Sequence, residues 1–214
     1  MSEMDRMSCR GRVREDGRAV CPVTLRMTGA INARNALGVM LIARECGVAF
    51  KNAAGALAEF RGVARRQEVV GEARGVTVVD DFAHHPTAVA ETIAALRLRY
   101  PGRRLRAVFE PRSNTSRRRV FQREFADALA TADEAVLAAV FTKPGDPIPP
   151  EERLDPAEIV SDVAARGTAA RLIDGVPAIR DYLLATSVSG DVVVIMSNGA
   201  FGGLPRLVAT GLRA

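Results

Sequence analysis

The chain has no tryptophan and, among its 214 residues, only two tyrosines, two histidines, three cysteines and two lysines. Each shortage excludes something. A net charge of +5 and a pI near 9.7 suggest a nucleic-acid partner, but such surfaces interleave cations with stacking aromatics, and Tyr100 and Tyr182 are too few to do that. No apolar run approaches the roughly 20 residues that cross a bilayer, and the opening MSEMDRMSCR lacks the apolar stretch of a secretory signal. A cytoplasmic protein with neither membrane nor nucleic-acid partner is expected. Cys9, Cys21 and Cys46 follow no metal or redox spacing, so buried reduced thiols and no metal site are expected. No Gly-x-x-Gly-Lys-Thr/Ser loop occurs, and no Gly-x-Gly-x-x-Gly follows the strand near 76–80, which argues against a dinucleotide oxidoreductase.

Hydrophobic residues make up 48% of the chain, with aliphatics far above aromatics, which suits a parallel sheet covered by helices. The length allows one full α/β core and part of a second. Residues 11–27 alternate around Glu15-Asp16-Gly17 and predict a hairpin with strands at 12–14 and 20–25. Helical patterns follow at 32–46 and 51–60, and Arg61 to Arg66 reads as a linker. From Gln67 the pattern becomes regular βα alternation. Strands are predicted near 67–72, 76–80, 104–110, 134–140, 169–173 and 191–196, and helices near 87–98, 117–130, 156–166, 176–185 and 205–212. The expected fold is therefore α/β and Rossmann-like: a mostly parallel six-stranded sheet with helices on both faces over 65–214. Residues 1–64, a hairpin plus a helix pair, precede it, and alone their apolar faces would be left uncovered.

Three segments carry candidate chemistry. Asp80-Asp81-Phe82-Ala83-His84-His85-Pro86 holds both histidines at the carboxyl end of a β-branched run, the edge where open α/β sheets bind ligands. The free N–H groups of a helix opened by proline also suit an anion; the alternative is that His85 and the aspartates only cap the helix. Phe109 to Thr115 and Ser197 to Gly203 repeat the arrangement, each a strand emptying into polar residues before a helix. Glycines 199, 202 and 203 permit close backbone approach, or else a tight turn. Asn32 and Asn35 share one face of a helical first turn, where an amide matches an adenine edge or caps the helix. Arg66 follows the linker and can reach a phosphate. Arg97 to Arg119 sets nine arginines against one acid, Glu110, which suggests a pocket for small anions. The segment 142–153, with four prolines, is either substrate-facing or a solvated connection.

Together these segments resemble the Mur ligase superfamily. The likeness rests on DDFAHHPTA at 80–88, FEPRSNT at 109–115 and SNGAFGG at 197–203. Within the superfamily the loops look most like those of ligases that join L-alanyl-γ-D-glutamyl-meso-diaminopimelate to UDP-N-acetylmuramate in peptidoglycan recycling. The L-alanine-adding ligases carry His-Arg-Tyr-Thr character where this chain has Arg-Ser-Asn-Thr. A non-catalytic module that binds peptide or nucleotide is a further alternative. The resemblance implies an ATP-dependent amide-bond-forming enzyme working through an acyl phosphate, with ATP and Mg2+ as cofactors and small molecules as partners. It implies ATP contacts from Asn32, Asn35, Arg66, Asp81 and His84. Peptide contacts are implied from Arg112, Ser113, Asn114, Thr115, Ser197, Asn198, Gly199 and Gly202. No catalytic side chain is assigned within this chain. Residues 1–64 would be the end of the superfamily's central ATP-binding domain and 65–214 its carboxyl-terminal domain. With the phosphate loop and the UDP-holding domain not among these residues, the chain alone is expected not to ligate.

Overall fold

The structure, a computed structural model, describes residues 9–140 and 145–214. It divides into two compact units, 1–64 and 65–214.

In the first unit β1 (Cys9–Glu15) and β2 (Arg18–Leu25) form an antiparallel hairpin. Its two-residue turn places Asp16 at φ 48° and Gly17 at φ 78°, the left-handed pair that matches the twist of the strands. Helices α1 (Ala30–Glu45) and α2 (Phe50–Glu59) follow. Cys21, Met40, Ala53 and Ala54 make a small core, while Val39 and Ile42 remain 54% and 68% exposed on α1. The expectation of three buried thiols needs correction. Cys21 is buried, but Cys46, just past the end of α1, is exposed.

The second unit is a six-stranded sheet in the order β3-β4-β8-β5-β6-β7. Its strands are β3 (Glu68–Ala73), β4 (Val76–Asp81), β5 (Leu105–Phe109), β6 (Glu134–Ala138), β7 (Ala169–Ile173) and β8 (Val192–Met196). Only β3 runs antiparallel. Sequences such as VVVIM and LRAVF are buried along their whole length, as parallel strands covered on both faces require. Successive residues alternate between two cores. Val79, Phe109 and Leu137 meet α3 (Pro86–Arg99), α4 (Gln122–Leu129) and α5 (Pro156–Ala165) on one face. Val78, Val108 and Val136 meet α6 (Val176–Thr186) and α7 (Leu204–Gly211) on the other.

The helix predicted over 117–130 begins only at Gln122, after a single 3-10 turn at Arg119–Phe121. Arg117 is turned inward to an ion pair with Asp146, and Ser113 and Ser116 close a local hydrogen-bonded turn; both compete with helix formation.

Outside Arg112, the arginine-rich stretch does not form an anion pocket. Partners distant in sequence neutralise it: Asp133 for Arg97, Glu152 for Arg118 and Glu158 for Arg119. Arg103 donates to the carbonyls of Gly75, Gly190 and Asp191 at the edge where the parallel strands begin. Beside it lies the most deeply buried charge. Arg106 is fully buried, with its Nε 2.8 Å from Glu134 Oε2, and Asp191 lies 3.6 Å from its Nη1. Burial alone pushes the Glu134 carboxyl up, but the Tyr182 hydroxyl and the Arg106 and Arg104 guanidiniums outweigh it and hold the group below its ordinary value.

A lowered carboxylate contributes stability above its unfolded pKa of about 4.3 and loses it as pH falls through the folded value. Glu134→Gln leaves Arg106 largely uncompensated and should cost about 3 kcal/mol at pH 7. Urea unfolding should show this gap narrowing as pH falls below about 4; a gap that widens there contradicts the assignment.

Candidate functional site at the carboxyl edge of the sheet

Strand β8 lies between β4 and β5, with Met196 in register with Asp81 on one side and Phe109 on the other. The three polar loops therefore leave the sheet side by side, at the edge where a doubly wound sheet offers a crevice. They are also tied together. Ser197, buried behind Met196, donates its N–H to the Asp81 carbonyl at 3.1 Å. Its hydroxyl donates to Glu110 Oε2 at 2.5 Å and accepts the Gly199 N–H at 2.9 Å.

In the first loop Asp81 is buried, and both its oxygens are engaged by the chain itself. Oδ1 accepts the Ala83 N–H at 2.7 Å and the Thr92 hydroxyl at 3.3 Å, and Oδ2 accepts the Gln67 N–H at 2.8 Å. Burial pushes this carboxyl above its usual range, against the pull of those bonds. Asp81 thus holds the loop's shape. The two histidines part ways. His85 is exposed, accepts the Thr87 N–H as the cap of α3 and meets the Phe121 ring edge-on. His84 is half-buried, with Nδ1 2.9 Å from the Phe82 carbonyl and its ring edge-on to Phe82. Arg66 is exposed, its guanidinium 5.1 Å from the centre of that same ring.

In the second loop Ser113 and Ser116 bond to each other, and Asn114 is exposed with its Oδ1 accepting from Arg117 Nη2 at 2.9 Å. Thr115 is half-buried. The Arg112 side chain is 38% exposed and 3.4 Å from Glu110. A side chain at Gly199 would collide with it, since a Cβ there would fall 2.3 Å from Arg112 Cδ; the glycine lets the second and third loops touch. In the third loop Phe201 is buried, and Gly202 and Gly203 take φ of 56° and 74° to turn the chain into α7. Asn198 Oδ1 is closed off from solvent and accepts no hydrogen bond from the described residues.

Asn32 and Asn35 lie in the other unit, on α1. Neither caps it, because Gly29 does. The Asn32 amide donates to the Thr28 carbonyl at 2.7 Å, and Asn35 is exposed. Of the segment 142–153, residues 142–144 lie outside the described residues. Ile148 is buried and its carbonyl accepts from Arg153 Nε, while Gly145, Pro147, Pro150, Glu151 and Glu152 are exposed, so the segment is anchored at Ile148 and otherwise largely solvated. Sequence reasoning placed Glu110 in the second motif and Arg117 in a helical pattern but gave neither a structural role, and Asp146 carried no signal of its own.

These features define an α/β domain with three polar loops at one sheet edge, and the comparisons with known proteins agree on the fold. The Mur ligase, glutamate ligase domain matches residues 65–199, and the chain belongs to the Mur ligase family. It is 40% identical over 202 residues to the UDP-N-acetylmuramate–L-alanyl-γ-D-glutamyl-meso-2,6-diaminoheptandioate ligase of Escherichia coli K12, covering 92% of this chain and 41% of that protein. It is 37% identical over 195 residues to the UDP-N-acetylmuramate–L-alanine ligase of Chloroflexus aggregans, covering 89% and 40%. The murein peptide ligase of Psychrobacter arcticus is a solved structure of the same fold, with a TM-score of 0.69 at 30% identity, covering 96% of this chain and 44% of that one. The chain thus spans about two fifths of the length of the curated relatives it matches. Enzymes of this family are ATP-dependent amide ligases of cell-wall synthesis that use Mg2+. Among the described residues no helix is long and apolar enough to cross a membrane.

Ser197→Ala removes the hydroxyl that links two loops and should lower stability by about 2 kcal/mol, because it strands the buried Glu110. Gly199→Ala presses only on the flexible Arg112 side chain and should cost less than about 0.5 kcal/mol. Urea unfolding that ranks them the other way would contradict the hub role of Ser197.

Proposed function

We propose that this chain supplies the amine-acceptor surface and part of the nucleotide surface of a cytoplasmic, ATP-dependent ligase that joins L-alanyl-γ-D-glutamyl-meso-diaminopimelate to UDP-N-acetylmuramate. The observation that carries the reading is the joining of three loops at one sheet edge through Ser197. A charged hydrogen bond contributes about 1.5–3 kcal/mol, and a helix terminus about 0.3–1 kcal/mol. Millimolar binding already requires about 4 kcal/mol, so a charged contact needs further polar contacts beside it. Arg112 offers one cation for a peptide carboxylate, and the exposed Asn114 a neutral donor beside it. Ser113, Thr115, Asn198, Gly199 and Gly202 complete the acceptor surface in this reading.

For ATP, the residues present suit parts of the group. Asn32 has one N–H engaged by Thr28, which orients the amide and leaves its oxygen to accept from an adenine amino group. The face of Arg66 rests on Phe82, leaving its N–H edge for phosphate oxygens. Asn35 and His84 are assigned supporting contacts, while Asp81 acts by holding the loop that carries His84. ATP, when bound, supplies the phosphoryl group that activates the carboxylate, and Mg2+ is assigned to residues beyond these. No side chain of this chain is given a covalent or proton-transfer role.

The tripeptide reading draws on the Arg-Ser-Asn-Thr character of the second loop. An L-alanine ligase is the second reading, because relatives of that kind match at 37% identity. Joining this chain to the part of the Escherichia coli relative outside the matched 202 residues gives a full-length enzyme to test. ADP release should depend on the tripeptide, and the 214-residue chain alone should release none. Turnover with L-alanine in place of tripeptide would select the second reading, and turnover with neither acceptor would overturn both.

A further inference from the structure

The loop that carries Asn198 is pinned from outside by a residue with no role so far. Arg65 opens the second unit, in the left-handed region at φ 58°. Its Nη2 donates to the Ser197 carbonyl at 2.6 Å and to the Gly199 carbonyl at 2.5 Å. The two carbonyls stand on either side of Asn198. The rest of the guanidinium is set by Asp80, 3.4 Å from Nε, and by the Phe82 ring, whose centre lies 5.3 Å from Cζ. The Arg65 N–H donates to Glu68 at 2.7 Å, which anchors the backbone.

Both bonds leave one guanidinium nitrogen, whose two N–H groups diverge in the guanidinium plane, and Asp80 and the Phe82 ring fix the orientation of that plane. The backbone on both sides of Asn198 is therefore held by Arg65, by Asp81 through the Ser197 N–H, and by Ser197 Oγ through the Gly199 N–H. The Asn198 amide oxygen accepts nothing in return. A buried acceptor without a partner is uncommon in a folded chain.

We infer that Arg65 is a positioning residue for the acceptor site: it holds the 197–199 backbone and thereby fixes where the Asn198 side chain sits in the third loop. The inference rests on the proposed function for the identity of the acceptor, but the clamp itself does not. Arg65 and Arg66, neighbours in sequence, then serve different ligands. Both rest on Phe82, yet Arg65 turns its N–H groups to the third loop while Arg66 stays exposed.

The test has two arms. Hydrogen exchange on the 214-residue chain reads the clamp directly: Arg65→Ala should speed exchange of the Ser197 and Gly199 amides at least tenfold while leaving Val193 and Val194 unchanged. Arg65→Lys should fall between the wild type and Arg65→Ala, because one ammonium nitrogen can donate to both carbonyls but lacks the planar group that Asp80 and Phe82 orient. Unchanged rates at 197 and 199, or acceleration across the whole sheet, overturn the positioning role whatever the enzyme does. The second arm uses the joined full-length enzyme. Arg65→Ala should raise the KM for tripeptide at least tenfold with the KM for ATP unchanged. The Arg65→Ala, Asn198→Ala double variant should be no worse than the poorer single. Additive losses, or a rise in the KM for ATP instead, overturn the link to Asn198. An inactive joined enzyme whose Arg65→Ala exchange still rises at 197 and 199 sinks the proposed function and leaves the clamp standing.

Discussion

The insertion of β8 between β4 and β5 is the constraint on which the rest depends. A strand from the end of the sequence takes the centre of the sheet, so its following loop is flanked by two loops formed more than 80 residues earlier. Parallel strands leave their carboxyl ends at one edge, and a central strand makes that edge continuous. Ser197 then turns adjacency into connection, with a backbone bond to one neighbour and a side-chain bond to the other. A hydroxyl that donates once and accepts once, buried beside a carboxylate, holds three loops with little freedom to separate.

The two ends of the sheet divide the polar work. At the edge where the parallel strands begin, buried Arg106, Glu134 and Asp191 and half-buried Tyr182 are matched to one another, an arrangement directed to stability. At the carboxyl edge the deeply buried carboxylates, Asp81 and Glu110, hold loop backbone and hydroxyl groups, while Arg112, Asn114 and His84 keep part of their surface in solvent. In the second and third loops the residues nearest the strand, Glu110 and Ser197, are buried and structural, while Arg112, Asn114 and Asn198 are more open. The same split separates Ser197 from Asn198 and Arg65 from Arg66.

Much of this was legible in the sequence for physical reasons. Runs such as VTVVDD and VVVIM can only be strands buried on two faces, and polar residues straight after them mark the loop edge. Pro86, Pro156 and Pro205 each lie at the start of a helix, as a missing N–H permits. What stayed hidden was set by partners far apart in sequence. Arg117 sits in a helical pattern, but its ion pair with Asp146, 29 residues on, draws it inward and delays the helix to Gln122. The arginines from 97 to 119 look unbalanced only while the acids that face them, from Asp133 to Glu158, are out of view. Arg65 could not be told from Arg66 by composition, because the difference lies in where each guanidinium edge points.

The most direct test of a single three-loop surface is a backbone-amide NMR titration of the 214-residue chain with the tripeptide. Shifts are predicted in all three loops together, over 82–85, 112–116 and 197–203, while the opposite edge around 103–106 and 187–191 stays still. Shifts confined to one loop, or centred on the opposite edge, would contradict the account.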